Sequence, residues 1–173
     1  MFKNAYFAGG CFWCTESIFQ RVKGVSLVIP GYMGGYIKNP SYREVCSGRT
    51  GHTETIKITY DKNIISYSQL LEIFFFTHDP TKLNRQGNDV GTQYRSAVFF
   101  ENQSEKKQIL ESISIFEKKK IYNESFVTEI NKKIEFYDAE TEHHDYYNQN
   151  KSQSYCQFVI RPKIKKFENL LNK

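Results

Sequence analysis

Two cysteines, Cys11 and Cys14, are three residues apart in Gly9-Gly-Cys-Phe-Trp-Cys-Thr-Glu16, where a predicted strand gives way to a predicted helix. Residues at this spacing share one helix face, so the two thiols would lie together. Unpaired N–H groups at a helix start favour a thiolate, which would lower the pKa of Cys11 and make it nucleophilic. The neighbouring Phe12 and Trp13 either wall a small apolar pocket or simply pack in the core.

A Cys-x-x-Cys pair also occurs in thioredoxin-like redox proteins and as half of a structural zinc site. Zinc would need two further ligands at short spacing. The sequence has no second pair of this kind, and the adjacent His143 and His144 cannot easily face one point. We therefore predict no metal, and we keep a general dithiol–disulfide oxidoreductase using Cys11 and Cys14 as an alternative function.

Glu54 is a candidate general acid because of its place in an alternating segment. It has the same parity as Ile56 and Ile58 in a predicted strand over residues 55–60. If the strand begins at or before Thr53, the carboxyl points to the apolar face, where burial would raise its pKa toward neutrality. If the strand end is frayed, Glu54 lies in solvent instead.

The elements around these residues follow a β-α-β-β-α-β order through residue 100. Strands are predicted near residues 5–8, 25–29, 55–60 and 94–100, and helices over 11–22 and after Ser66. A helix capped by Ser104 runs to about residue 120, weaker strands lie near 126–130 and 134–137, and a last helix covers 163–171. The order predicts an α+β two-layer sandwich with a ferredoxin-like split βαβ core.

We expect residues 1–173 to form a single catalytic domain, with a core at about 4–150. Extra C-terminal helix and strand elements follow the four-strand core, and residues 151–173 form an irregular basic tail. This tail carries a net charge equal to the +5 of the whole chain. Because a nucleic-acid-binding protein would spread basic residues over a recognition element, we predict no nucleic-acid partner. A non-enzymatic anion-binding module using the tail is the third functional alternative.

The composition fits a folded globular protein. Aromatic residues make up 16% of the chain, which excludes wholesale disorder. The sequence has neither the run of about 20 apolar residues that a membrane span needs nor an apolar secretory segment. We therefore predict a cytoplasmic protein with no membrane partner. In a reducing compartment, the four cysteines are expected to be reactive or buried thiols rather than structural bridges.

Five segments, in register over nearly the whole chain, resemble the peptide-methionine (S)-S-oxide reductases, the A-type methionine sulfoxide reductase family. They are Gly10-Cys-Phe-Trp-Cys-Thr-Glu16, Gly34-Gly-Tyr36, Asn39-Pro-Ser-Tyr-Arg-Glu-Val-Cys-Ser-Gly48, Thr50-Gly-His-Thr-Glu54 and Gln86-Gly-Asn-Asp-Val-Gly-Thr-Gln-Tyr-Arg-Ser96. The resemblance implies reduction of the S-epimer of methionine sulfoxide, free or in proteins, to methionine. It implies no metal or organic cofactor, and regeneration by thioredoxin.

The resemblance also implies a role for each matching residue. Cys11 is the nucleophile, and Glu54 is the acid that protonates the sulfoxide oxygen. Phe12 and Trp13 hold the substrate methyl group. The hydroxyls of Tyr42 and Tyr94 hydrogen-bond the oxygen, and Asp89 is a polar residue of the same site.

The resolving thiol is open between two cysteines at this point. Many family members have glycine in place of Cys14 and end in a glycine-rich tail with a further cysteine. Cys156 matches the family's tail position and is the first choice, and Cys14 is the second. Cys46 is interpreted as a bystander, and we expect the protein to be a monomer.

Overall fold

The computed structural model describes residues 1–172, which form a mixed α/β structure around a central, mostly antiparallel sheet. The strands are β1 (Phe2–Ala8), β2 (Val25–Met33), β3 (Thr53–Asp61), β4 (Arg85–Gln86), β5 (Asp89–Val90), β6 (Ala97–Phe100), β7 (Glu129–Lys132) and β8 (Tyr137–Asp138). The helices are α1 (Phe12–Phe19), α2 (Tyr42–Cys46), α3 (Tyr67–Thr77), α4 (Gln103–Lys118), α5 (Tyr146–Gln149) and α6 (Arg161–Leu171). Thr92–Tyr94 and Thr141–His143 form 3₁₀ turns, and Cys156–Ile160 forms a π-helical turn.

The sheet order is β7-β6-β1-β3-β2-β8, with β4 and β5 forming a separate ribbon. Neighbouring strands are antiparallel except β6 and β7, which are parallel. Strand β1 pairs with β3 in the middle of the sheet, with Phe7 opposite Ile56. Because the two run in opposite directions, the end of β1 lies beside the start of β3. This register brings the turn before Cys11 close to Glu54.

Aromatic side chains fill the layer between the sheet and the helices. The rings of Phe7 on β1 and Phe74 on α3 stack with their centroids 4.8 Å apart, and Phe7 also contacts Phe19 on α1. All three are fully buried. Burial of a side chain of this size contributes about 1.5–3 kcal/mol, so α1 and α3 are fixed firmly against the sheet.

Side-chain caps set the starts of two helices. Ser66 accepts the N–H of Gln69 and begins α3 with a complete capping box, as the sequence predicted. The prediction that Ser104 caps α4 is wrong. Asn102 is the cap, because its Oδ1 atom accepts the N–H of Glu105 at 2.9 Å, three residues into the helix.

The C-terminal segment is ordered, so the prediction of an irregular tail is wrong. The π-helical turn runs directly into α6, and the structure confirms the predicted last helix. Ile160, Ile164 and Phe167 recur at helical spacing and are buried, whereas Lys165 and Lys166 are exposed. The basic charges therefore occupy the solvent face of an amphipathic helix. Among residues 1–172, no helix has both the length and the apolarity that crossing a membrane requires.

Candidate active site

Two glycines shape the turn that presents Cys11. Gly10 has a φ of +86°, which side chains with a Cβ rarely adopt, and a Cβ there would lie 2.8 Å from the side chain of Gln86. A Cβ on Gly9 would lie 2.8 Å from the ring of Phe74. The chain can therefore turn sharply out of β1, and Cys11 becomes the N-cap residue of α1, as the motif predicted.

Burial dominates the titration of Cys11. The side chain is 8% exposed, and loss of solvation raises its pKa well above the ordinary value of 9.0. The adjacent Cys14 thiol and the Glu54 carboxyl act in the same direction. The expectation of a lowered pKa at the helix start is therefore wrong, because desolvation outweighs the helix terminus. Cys14 has a pKa lowered to about 7, chiefly through its interaction with Cys11 and also through the Lys163 charge.

Glu54 lies on the apolar face of the sheet, as its parity predicted, and is only 1% exposed. Its Oε1 atom accepts the N–H of Phe12 at 3.0 Å. Within residues 1–172, its Oε2 atom has no hydrogen-bond partner. Burial raises the pKa of Glu54 to about 8. At neutral pH the group is therefore a protonated acid with one oxygen free to interact.

Tyr42 and Tyr94 come from two separate segments of the chain, and both lie close enough to Glu54 for its charge to affect their pKa values. Tyr42 begins α2, which Ser41 caps, and Tyr94 ends a 3₁₀ turn and packs beside Cys11. Burial raises the pKa of both phenols, and the Glu54 charge is the second cause for each. Both hydroxyls therefore stay protonated and can donate hydrogen bonds.

Phe12 and Trp13 have different surroundings in the structure. Phe12 is fully buried in the main core, while Trp13 is only half-buried and touches both the main core and the cysteine cluster. The ring of Tyr146 stacks on the indole of Trp13 with centroids 3.7 Å apart and an interplanar angle of 7°. Tyr146 therefore covers one face of the Trp13 indole.

Asp89 is linked to the cysteine cluster by a hydrogen bond from Tyr155. The Tyr155 hydroxyl donates to Asp89 Oδ2 at 2.7 Å and lies 3.7 Å from the Sγ atom of Cys14. Since that hydroxyl proton is used on Asp89, its oxygen can accept the Cys14 S–H. The three groups thus form a chain from the β4–β5 ribbon to the second cysteine.

Cys156 and Cys46 lie in different parts of the structure, and all four cysteines of the chain are free thiols. Cys156 is fully buried and packs in one apolar cluster with Cys11 and Cys14. Cys46 lies outside that cluster in α2, partly exposed, where it interacts with Tyr42. Within residues 1–172, no three His, Cys, Asp or Glu side chains come together as a metal ion would need.

Sequence reasoning missed the segment that closes the site from the far end of the chain. His143 Nδ1 accepts the indole N–H of Trp13 at 3.1 Å. Glu140 accepts the backbone N–H of Tyr42 at 2.8 Å and the hydroxyl of Tyr32 at 2.9 Å. The available signal was the run of acidic and histidine residues at 140–145, which fits neither a helix face nor a strand pattern.

Glu16 was missed as well, although it stands in the cysteine motif. It is 1% exposed, and its carboxylate accepts the N–H groups of Asp145 at 2.9 Å and Tyr146 at 3.4 Å. Burial raises its pKa to about 7. Glu16 therefore holds the start of α5 against α1, and an acidic residue on the inner face of that helix was the signal for it.

A family model described as peptide methionine sulfoxide reductase matches residues 3–173. This chain belongs to the peptide methionine sulfoxide reductase family. A family member, the peptide methionine sulfoxide reductase MsrA of Saccharolobus solfataricus, is 52% identical over 166 residues, 96% of this chain and 93% of that protein.

Solved structures also share this fold. Mxr1 from Saccharomyces cerevisiae in reduced form is 31% identical with a TM-score of 0.84, over 90% of this chain and 89% of that one. Mxr1 in complex with Trx2 is 22% identical with a TM-score of 0.60, over 84% of both chains, and this likeness shows the fold alone.

Proposed function

We propose that this family member acts as a peptide-methionine (S)-S-oxide reductase, with Cys11 as nucleophile and Glu54 as general acid. The observation that carries the assignment is the buried Glu54 carboxyl, which hydrogen-bonds the first turn of α1 and keeps one oxygen free. Substrates are the S-epimer of methionine sulfoxide, free or within proteins. A plain dithiol–disulfide oxidoreductase does not require an acid that protonates a departing oxygen.

In the first step, Cys11 attacks the sulfoxide sulfur while Glu54 donates a proton to the sulfoxide oxygen. The attack forms a bond between the two sulfur atoms. The oxygen then moves to the Cys11 sulfur as this S–S bond and the S–O bond of the substrate break, so methionine leaves and Cys11 becomes a sulfenic acid. The thiol proton compensates for the proton that Glu54 donates, so the carboxyl is protonated again. Protonation matters because a sulfoxide sulfur is a poor electrophile until its oxygen carries a proton.

The other site residues bind and polarise the substrate. Tyr42 and Tyr94 donate hydrogen bonds to the sulfoxide oxygen, and their raised pKa values support this because both remain protonated. Phe12 and Trp13 hold the substrate methyl group. Asp89 contributes as a polar residue of the same site, oriented by its hydrogen bond from Tyr155.

In the second step, a resolving thiol condenses with the Cys11 sulfenic acid, which forms a disulfide and releases water. Cys156 remains the first choice because it matches the tail position of the family and packs in the Cys11 cluster. Cys14 is the alternative, supported by its contact with Cys11 and its pKa near 7. No organic cofactor or metal takes part in either step.

We also propose thioredoxin as the reductant, by analogy with the Mxr1 structure in complex with Trx2. A monomer in the cytoplasm is the proposed setting. The chain is proposed to act as one catalytic domain, which the burial of Phe167 from α6 in the main core supports. The strand order β6-β1-β3-β2 supports the finer proposal of a ferredoxin-like core.

Turnover of the two sulfoxide epimers by wild type and Cys11→Ser tests the activity. We expect wild type to reduce the S-epimer and the variant to have no turnover. Insulin reduction by the same proteins distinguishes the alternative, because a general dithiol oxidoreductase would reduce insulin and ignore the sulfoxide. Retained sulfoxide reduction in Cys11→Ser would overturn the proposal.

Disulfide mapping identifies the resolving thiol. Wild type, Cys14→Ser and Cys156→Ser are treated with one equivalent of methionine sulfoxide without reductant. A Cys11–Cys156 link that persists in Cys14→Ser supports Cys156. A Cys11–Cys14 link that persists in Cys156→Ser replaces it with Cys14.

A further inference from the structure

The indole of Trp13 is fixed from two directions by one short segment of the chain. Tyr146 covers one face of the ring at 3.7 Å. His143 meets its edge, and its Nδ1 atom accepts the indole N–H at 3.1 Å. The two rings are 5.7 Å apart between centroids, and their planes are inclined by 23°. The orientation of Trp13 therefore depends on His143.

His143 is itself held in one orientation. It is 6% exposed, and its ring packs 4.3 Å from the ring of Tyr42 and 5.5 Å from that of Phe12, measured between centroids. Its backbone N–H donates to the carbonyl of Glu140, whose carboxylate accepts the backbone N–H of Tyr42. One imidazole thus contacts three of the residues assigned to the substrate site.

We propose that His143 is a positioning residue for the reductase reaction, which orients the Trp13 indole through the Nδ1 acceptor so that the methyl pocket keeps its shape. This inference rests on the proposed function for the role of Trp13, and the hydrogen bond can be tested without it. An indole N–H only donates, so a partner with a free acceptor atom is needed at this edge.

The required tautomer is consistent with the charges around the ring. Nδ1 can accept only if the imidazole is neutral and carries its proton on Nε2. Burial lowers the pKa of His143, and the charge of His144 acts in the same direction, whereas Glu140 and Glu142 oppose it. The rings that pack against it, from Phe12, Trp13 and Tyr42, carry no charge at neutral pH. At physiological pH the acceptor is therefore present.

The test uses two substitutions at the same position. His143→Phe keeps a flat ring but removes the acceptor, and His143→Asn places an amide oxygen near the position of Nδ1. We expect His143→Phe to raise KM for methionine sulfoxide about 5- to 10-fold with a smaller change in kcat, as expected for one lost hydrogen bond. His143→Asn should restore most of the affinity. Melting temperatures verify that both variants fold.

Trp13 is the only tryptophan of the chain, so intrinsic fluorescence reports on it directly, without substrate. We expect the emission maximum to shift in His143→Phe and to return toward wild type in His143→Asn. In wild type the emission should also titrate below pH 6.5, where the imidazole gains a proton and Nδ1 stops accepting. That titration should be absent in His143→Asn.

Three results overturn the inference. They are unchanged emission in His143→Phe, an equal loss of affinity in both folded variants, and a wild-type emission that does not respond to pH. If instead wild type shows the fluorescence response but reduces no sulfoxide, the hydrogen bond stands and the proposed function fails. The two ideas therefore fail separately.

Discussion

Two buried glutamates, one next to the start of helix α1 and one within it, have surroundings that differ in one respect. Glu54 at its start and Glu16 in its second turn are each 1% exposed, and burial raises the pKa of each. Both oxygens of Glu16 accept backbone N–H groups, from Asp145 and Tyr146. Only one oxygen of Glu54 does, from Phe12, and the other has no partner within residues 1–172.

This difference in hydrogen bonding distinguishes a carboxyl with a structural role, Glu16, from one that is proposed to act in the reaction, Glu54. Glu16 is saturated by N–H donors, which stabilise its charged form and keep its pKa at about 7. Glu54 has less compensation, a pKa of about 8, and an oxygen that can meet a substrate. A buried carboxyl is therefore a candidate acid when its hydrogen bonding is incomplete, and burial alone does not make it one.

The largest expected effect comes from removing the acid. Glu54→Gln keeps the shape and the acceptor for Phe12 N–H but cannot donate the proton, so kcat for methionine sulfoxide should fall by about 10²–10⁴-fold. Steady-state kinetics at pH 7 measure it. Glu16→Gln is the matched control and should lose far less. A Glu54→Gln variant with activity near wild type would remove the distinction between the two carboxyls.

Next come the two phenols that surround Glu54. Tyr42→Phe and Tyr94→Phe should each lower kcat by about 10²-fold, because each removes one donor to the oxygen that gains charge. Tyr36→Phe, at an exposed loop position, is the comparison. Single-turnover rates of sulfenic acid formation measure the effect on chemistry alone. Equal rates for all three variants would show that the hydroxyls do not contribute.

A smaller effect is expected from replacing Glu16, the carboxyl with the structural role. Glu16→Ala leaves the N–H groups of Asp145 and Tyr146 without their buried acceptor, and should lower the free energy of unfolding by about 1–3 kcal/mol. Glu16→Gln, which retains one acceptor oxygen, should cost less. Urea denaturation measures both. If Glu16→Ala were as stable as wild type but as inactive as Glu54→Gln, Glu16 would have to be assigned to the chemistry instead.

Replacing Glu54 should also produce a pH-dependent gain in stability. The folded pKa of Glu54, about 8, is above its ordinary value of 4.5, so the folded protein prefers the protonated acid. Its contribution is complete below pH 4.5 and is lost as the pH rises through 8. Glu54→Gln cannot ionise, so it should melt several degrees above wild type at pH 9 and no higher at pH 4.5. A gain of equal size at both pH values would contradict the titration.

Local patterns in the sequence were enough to predict the start of the site. The parity of Glu54 with Ile56 made burial one of two alternatives, and the two glycines before Cys11 predicted the turn. The pKa of Cys11 could not be predicted in this way, because its burial depends on packing by Cys156 and other residues more than 130 positions away.

The segment that closes the site, residues 140–149, could not be predicted from the sequence for a related reason. It contains a 3₁₀ turn, an α-helix of four residues and Asp145 with a φ of 56°, so no periodicity marks it. Its role appears only when Glu16 and Trp13 are in contact with it across the fold. The last helix was predicted, but residues 151–173 were still described as an irregular tail because their charge was weighed above the spacing of Ile160, Ile164 and Phe167.

The π-helical turn Cys156–Ile160 determines what a single-residue deletion in this segment would do to the position of Cys156. Such a turn accommodates one more residue than an α-helical turn. Deleting a single residue there, such as the exposed Gln157, would restore a continuous α-helix. Ile164 and Phe167 would stay anchored, while Cys156 would rotate by about 100° around the helix axis. One deletion, without any substitution, would therefore move this thiol out of the cluster that it shares with Cys11.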